Sequence, residues 1–247
     1  MNLVSVVMGE ASERTPSPIP VDVIIAVRNS AATLGDAISS VGAACSVDHP
    51  STSMVRCEPR ILVIDGASSD GSDLVAQRWQ GVRLEAQSGL GLGDARNQGL
   101  DSSDAGFVAF LDADDVWTPG SLLARVRHLL EHPDTDAVIG GFEVFARSGS
   151  LPSRFAAQVG RSIDGLTPGA MVCRRSVFER VGRFSTTLSI GCDSDWFSRA
   201  IDAGLRIDRL DGVVLRKGIG STNLSHSTEL YRSELLTIVR DHIQRSR

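Results

Sequence analysis

Three carboxylates occupy four consecutive positions at the end of an apolar run: Asp112, Asp114 and Asp115, within the stretch "FVAFLDADDVW". Like charges at the tip of a buried strand repel one another and resist desolvation. A divalent cation offsets that repulsion and prefers hard oxygen ligands, and magnesium or manganese keeps positions open for phosphate oxygens. Asp112 and Asp114 are therefore the candidate metal ligands. Such a metal would bridge the chain to a diphosphate and stabilise charge on a departing one. Asp115 serves equally well as the start of the helix near Pro119.

These acids need elements to hold them. "VDVIIAV" (Val21 to Val27) is a nearly continuous β-branched run, as in a strand buried on both faces, and it ends in Arg28-Asn29. "RILVIDG" is a second such run and ends in Asp65; "VRLEAQ" is a short third; "GFVAFLDADD" is the fourth. Between them lie helical stretches, "SAATLGDAISSVGAAC" and "DLVAQRW", and a Gly-rich loop that runs into a helix, "GLGLGDARNQGLDSS". "TPGSLLARVRHLLEH" follows as a helix with Pro119 in its first turn. Alternation with short loops predicts an α/β fold with a parallel, doubly wound sheet. Ligands of open parallel sheets bind beyond the carboxyl ends of the strands. Three polar strand ends, at Arg28, Asp65 and Asp112, converge on that edge.

Past about Ala146 the regularity fades. "LPSRFAAQVGRSIDGLTPG" is long and loop-like, "AMVCRRSVFERVG" reads as strand then helix, and "DSDWFSRAIDAGL" as a helix with an acidic start. "RIDRLDGVVLRK" reads as a strand pair, and "SHSTELYRSELLTIVRDHIQRSR" as a C-terminal helix that Ser225 could cap.

Composition bounds the rest. The chain has 247 residues, 42% hydrophobic and 22% charged, which suits a globular domain with a substantial core. Its net charge of −5 offers no basic surface for nucleic acid or anionic lipid. The apolar runs stay far short of the roughly 20 residues of a membrane span. Cys45, Cys57, Cys173 and Cys192 form neither a CxxC pair nor a zinc pattern, so free thiols in a reducing cytoplasm are expected. "EASERTPSPIP" has the composition of a flexible leader. Gly89, Gly91 and Gly93 follow the third strand and miss the dinucleotide fingerprint. Trp117 and Trp196 flank the two acidic stretches and are assigned to packing.

The motifs taken together resemble the family 2 glycosyltransferases, which have the GT-A fold. "VDVIIAVRNSAATLGDAISSV" resembles the family's opening strand, "ILVIDGASSDGS" its second-strand motif, and "GLGLGDARNQGL" its G-x-x-x-A-R-N-x-G motif. "FVAFLDADDVWTPGSL" resembles its D-x-D segment, and "PGAMVCRRSVFERVGRFSTTL" its acceptor-side segment. The resemblance implies a Rossmann-like, mostly parallel sheet flanked by helices with an acceptor-side C-terminal part. It implies a leader over 1–19 and one catalytic domain over 20–226, its nucleotide-sugar half 20–118 and its acceptor half 119–226. A C-terminal helix over 227–247 completes the division. It places Ala26, Arg28 and Asp65 at the nucleotide base and Arg96 near base and phosphates. Asp112 would meet the ribose or a metal-bound water, and Asp114 the metal, Mg²⁺ or Mn²⁺.

The resemblance also assigns the general base. The matching stretch is "GCDSDW", so Asp193 takes that role, with Asp195 as its rival and simple capping as the competing use of either acid. A carboxylate facing the anomeric carbon from the side opposite the diphosphate would remove the acceptor's proton, and direct displacement would invert the centre. Beyond the last strand, Arg216 or Lys217 could neutralise phosphate, and His226 could be a third metal ligand. Three positions depart from the family pattern: Arg28 stands where an aromatic is usual, Gly66 replaces a second Asp, and Cys192 replaces a Glu. Arg28 could stack through its planar guanidinium, and Cys192 is expected to pack rather than react.

The implied partners are a nucleoside-diphosphate sugar, UDP-linked by expectation, and a hydroxyl acceptor such as a sugar, lipid-linked glycan, small molecule or peptide. The implied setting is the cytoplasm, with peripheral contact at the inner face of a membrane allowed. Two other classes stay open. One is a nucleotide-sugar-binding protein without catalysis, which would need Asp65 and Asp112 but not Asp193. The other is a phosphatase of the haloacid dehalogenase type, whose Asp pair should end the first strand rather than the fourth.

Overall fold

The structure is a computed structural model that describes residues 17–46, 55–147, 159–219 and 228–245. Strand β1 (Ile19–Val27) is central to the N-terminal half. It pairs in parallel with β2 (Cys57–Asp65) on one side and β4 (Phe107–Asp112) on the other, and β3 (Arg83–Ala86) extends the sheet beyond β2. Val21, Val23, Ile24 and Ile25 are all buried, as a strand covered on both faces requires. The covering helices are α1 (Ala31–Ala44), α2 (Ser72–Gln77) and α3 (Gly91–Asp101). In α1, Leu34, Ala37, Ile38, Val41 and Ala44 recur at three- and four-residue spacing and form its buried face.

The C-terminal half adds β5 (Val116–Trp117), α4 (Ser121–Glu131), β6 (Ala137–Ala146), β7 (Met171–Arg174), α5 (Val177–Val181), α6 (Cys192–Asp202), β8 (Ile207–Ile219) and α7 (Thr228–Arg245). One eight-stranded sheet results, in the order β3-β2-β1-β4-β7-β6-β8-β5. β7 runs antiparallel to both β4 and β6, and β5 antiparallel to β8, so the sheet is mixed beyond β4. The predicted α/β class and mostly parallel character hold, and the second half carries the exceptions.

Three expectations change. "RIDRLDGVVLRK" is one strand, not a pair. Gly212, at φ +93°, absorbs a register shift against β6 near Gly141 instead of turning a hairpin. The four cysteines are not all free: Cys45 and Cys57 form a disulfide, while Cys173 and Cys192 are free and buried. The pairing of β1 with β2 brings the end of α1 to the start of β2, with the two Cα atoms 5.9 Å apart. Such a bridge suits an oxidising compartment better than a reducing one. Finally, α4 begins after Pro119, with Gly120 as its N-cap at φ +72°. Ser225 and His226, a predicted cap and a predicted third ligand, lie outside the described residues. No described helix is long and apolar enough to cross a membrane.

Candidate active site

Register puts the predicted strand ends side by side. Val27 lies opposite Asp65, and Ala26 opposite Asp112, so β1, β2 and β4 deliver their polar tips to one edge. Ala26 is half-buried and Arg28 exposed just beyond it. The loops after β1 and β2 are laced together. Asn29, at φ +53°, accepts the Ser69 N–H on its side-chain oxygen at 2.8 Å, and its own N–H reaches the Ser68 hydroxyl at 2.9 Å. That hydroxyl donates in turn to Asp65, which also accepts the Ser68 N–H at 3.1 Å. Asp65 is thereby oriented with acceptor capacity left for a ligand. Gly66, which departs from the family pattern, stands where a Cβ would come 2.9 Å from the Gln87 side-chain oxygen. Asp70 caps α1 from outside, its Oδ2 accepting the Ala31 N–H at 2.8 Å.

Arg96 is the hub. It projects from α3 into the protein, its side chain 2% exposed, between the rings of Phe110 and Phe184 at 5.9 and 5.3 Å. One guanidinium nitrogen donates to Asp112 at 2.9 Å, and the other meets Asp193. Burial alone would lower the pKa of Arg96, but Asp193 and Asp112 together hold it above its ordinary value. The family resemblance puts Arg96 near base and phosphates; in the structure its guanidinium links two acids.

The next residue, Asn97, did not stand out in the sequence. Its side chain binds both the N–H and the carbonyl of Phe184, at 3.0 and 2.9 Å. Gly93, one turn earlier, lies where any Cβ would strike the Ser185 carbonyl. The A-R-N segment thus docks the chain that leads toward Asp193.

The acidic turn after β4 receives β8. Gly218 has no Cβ to strike the Asp114 carbonyl, so its N–H reaches Asp115 Oδ1 at 2.9 Å. Lys217 then sets its ammonium 3.1 Å from Asp115 Oδ2 and 3.5 Å from Asp112 Oδ2. The Asp115 contact is one of charge rather than an aligned hydrogen bond. Arg216 points elsewhere and pairs with Glu143 at 2.6 Å. Asp115, 1% exposed, therefore starts no helix; it anchors Lys217 and precedes β5. Burial would raise the pKa of Asp112, but Lys217 and Arg96 outweigh it and hold the carboxyl below its usual range. Asp114 goes the other way, raised by burial and then by Asp112.

A metal can be tested against this arrangement. Among the described residues no three His, Cys, Asp or Glu side chains cluster as a ready-made site. Two carboxylates remain: Asp112, whose oxygens already meet Arg96 and Lys217, and Asp114, whose pKa is raised first by burial and then by Asp112. A pair of hard-oxygen donors, completed by water and phosphate oxygens, suits magnesium or manganese. Asp112 and Asp114 are the two carboxylates that would hold such an ion.

Asp193 and Asp195 share the first turn of α6 but differ in use. Asp195 is bound by Arg199 through two nitrogens at 2.8 and 3.0 Å. Asp193 takes both Arg96 and the Cys192 thiol on the same oxygen, Oδ1. The Cys192 thiol itself is pushed up to about 12, by burial first and then by Asp193, and is no nucleophile. Trp117 and Trp196 are buried, each donating its indole N–H to a backbone carbonyl, of Gly169 at 2.6 Å and Gly182 at 3.0 Å.

Carboxylates at parallel strand ends, facing a mixed second half of this order, define a GT-A glycosyltransferase fold. In a search of solved structures the chain is similar to TarS of S. aureus in complex with UDP-GlcNAc, with a TM-score of 0.71 and 18% identity over 92% of this chain and 66% of that one. It is also similar to the mannosyltransferase PcManGT of Pyrobaculum calidifontis in complex with GDP-Man and Mn²⁺, with a TM-score of 0.65 and 20% identity over 93% of this chain and 66% of that one. The glycosyl transferase family 2 model matches residues 22–182, and the chain belongs to that family. Among curated proteins it is 29% identical over 208 residues to the pre-mycofactocin glycosyltransferase of Mycobacterium tuberculosis. That alignment covers 78% of this chain and 41% of the relative, so the chain spans less than half of that protein's length. The family resemblance drawn from the motifs holds, and a haloacid dehalogenase phosphatase is not favoured.

Proposed function

We propose that this chain is an inverting, metal-dependent glycosyltransferase that moves a sugar from a nucleoside diphosphate, UDP by preference, to a hydroxyl acceptor. One observation carries the reading: Arg96 ties a donor-side acid, Asp112, to an acceptor-side acid, Asp193. A binding protein without catalysis would need the first acid and not the second. The relatives lend support, since UDP-GlcNAc, and GDP-Man with Mn²⁺, occupy the two similar structures.

In this reading Asp65 and the backbone at Ala26 and Arg28 receive the nucleotide base, and Asp112 the ribose. Asp114, with Asp112, would hold Mg²⁺ or Mn²⁺, which when bound offsets charge on the diphosphate. Lys217 adds a cation on the same side, held at the mouth by Asp115. Asp193 Oδ2 takes the proton of the acceptor hydroxyl as its oxygen bonds to the anomeric carbon. The bond from that carbon to the diphosphate breaks with its electron pair on the departing oxygen, and the centre inverts.

The test is donor hydrolysis over UDP-glucose, UDP-N-acetylglucosamine, UDP-galactose and GDP-mannose, with Mg²⁺, Mn²⁺ or EDTA. Release of UDP or GDP from at least one donor, stimulated by metal and slowed at least about 10²-fold in Asp193→Asn, is expected. Metal-dependent binding with no turnover of any donor, by wild type as by Asp193→Asn, would return the chain to the class of binding proteins.

A further inference from the structure

The turn that leads into α6 presents three backbone N–H groups, of Ser189, Ile190 and Gly191. Gly191 stands at the N-cap and has no side chain to fold back on them. Glu234 of α7 supplies the acceptor instead. Its Oε1 accepts the Ser189 N–H at 2.7 Å, and its Oε2 accepts those of Ile190 at 3.0 Å and Gly191 at 2.6 Å. Glu234 is 8% exposed, and Ile238, one turn on, packs beside it. A Cβ at Gly191 would lie 3.0 Å from Ile238 Cδ1 and 3.1 Å from Glu234 Oε2. With φ at −80° the backbone there suits any residue, so Gly191 is needed for space. Burial works to raise the Glu234 pKa, yet the three N–H donors hold it below its usual value.

This cap changes what the neighbouring acids are for. An aspartate in the first turn of a helix is ordinarily drawn toward the unsatisfied N–H groups. Here Glu234 takes the Gly191 N–H at the N-cap and the two N–H groups that precede it, and Asp195 is taken by Arg199. Asp193 is left to face Arg96. We propose that Glu234 is a positioning residue for the transfer reaction: by fixing the turn at Ser189 to Gly191, it aims the Asp193 carboxylate at the acceptor. The proposal rests on the reading of Asp193 as the base. It also gives α7 a part in the chemistry.

The experiment uses the full chain in four forms: wild type, Glu234→Gln, Asp193→Asn and the double variant. Turnover is nucleotide release from the best donor of the panel above, and amide hydrogen exchange is read at Ser189 to Gly191. Glu234→Gln should lower kcat about tenfold or more, since small misplacements of a reacting group cost up to about 10². Donor KM should stay within about twofold, because the donor's residues sit on other elements. The three amides should exchange faster, and in the Asp193→Asn background the second change should cost less than about twofold. Gly191→Ala, which crowds Glu234 without removing it, should shift kcat in the same direction and is the second variant should Glu234→Gln fold poorly.

An unchanged kcat in Glu234→Gln, or an equal fall with and without Asp193, overturns the positioning role. A near-normal rate in Asp193→Asn alone overturns the base itself, and the two failures are therefore distinct.

Discussion

Asp112 and Asp193 stand on different elements, at the tip of β4 and the first turn of α6, and one guanidinium clasps both. Arg96 thereby sets the distance between the two acids. Because it is buried and doubly paired, it acts as a fixed spacer rather than a mobile ligand.

Arg96→Ala should leave two carboxylates facing each other without a counter-ion. Removing one partner of a buried ion pair costs about 3–5 kcal/mol. A urea unfolding curve should show that loss as a lower midpoint at unchanged slope. Arg96→Lys keeps the charge but not the fork, and its turnover should fall by at least about 10². Wild-type turnover in the Lys variant would show that charge alone suffices.

Asp114→Ala should abolish the metal dependence of UDP binding. Calorimetric titration of UDP with Mn²⁺ and again with EDTA should give two different affinities for wild type and one for the variant. A variant whose affinity still drops on chelation has its metal elsewhere.

Asp65→Ala should weaken nucleotide binding by about 1.5–3 kcal/mol, the range for a hydrogen bond to a charged group. The loss should be the same for UDP and for every UDP-sugar tested. A loss confined to one sugar would place Asp65 at the sugar instead of the base.

Reduction of the Cys45–Cys57 bond should destabilise the chain by about 2–4 kcal/mol. Nucleotide affinity should not change, because Cys57 begins β2 and Asp65 ends it, about 26 Å away along an extended strand. Thermal melts and UDP titrations with and without reductant measure both effects. Weaker UDP binding at temperatures where the chain stays folded would contradict this independence.

Much of the polar strand edge was legible because it is local. β1, β2 and β4 are runs of apolar residues that end in polar ones, and a strand's carboxyl end is readable from such a run. Asp65 and Asp112 followed directly. Asp115 was misread because sequence shows only its neighbours in the chain, the acids before it and the helix after it. Its actual partners, Gly218 and Lys217, come from a strand about a hundred residues on, admitted by the missing side chain of Gly218. The strand pair expected over "RIDRLDGVVLRK" failed for a related reason: a glycine at positive φ bends a strand or turns it, and the partner strand decides which.

Sequence by itself determined the parallel half of the sheet, the family and the set of acids, since each is written in short runs with their own period and spacing. Tertiary structure alone decided how those acids are used. Asp193 and Asp195 are two residues apart and alike in chemistry. Arg199 neutralises one, Arg96 holds the other, and Glu234 fixes the turn that leads into their helix. Those partners lie on three different elements, and the role of a carboxylate is set by the charges that surround it in space.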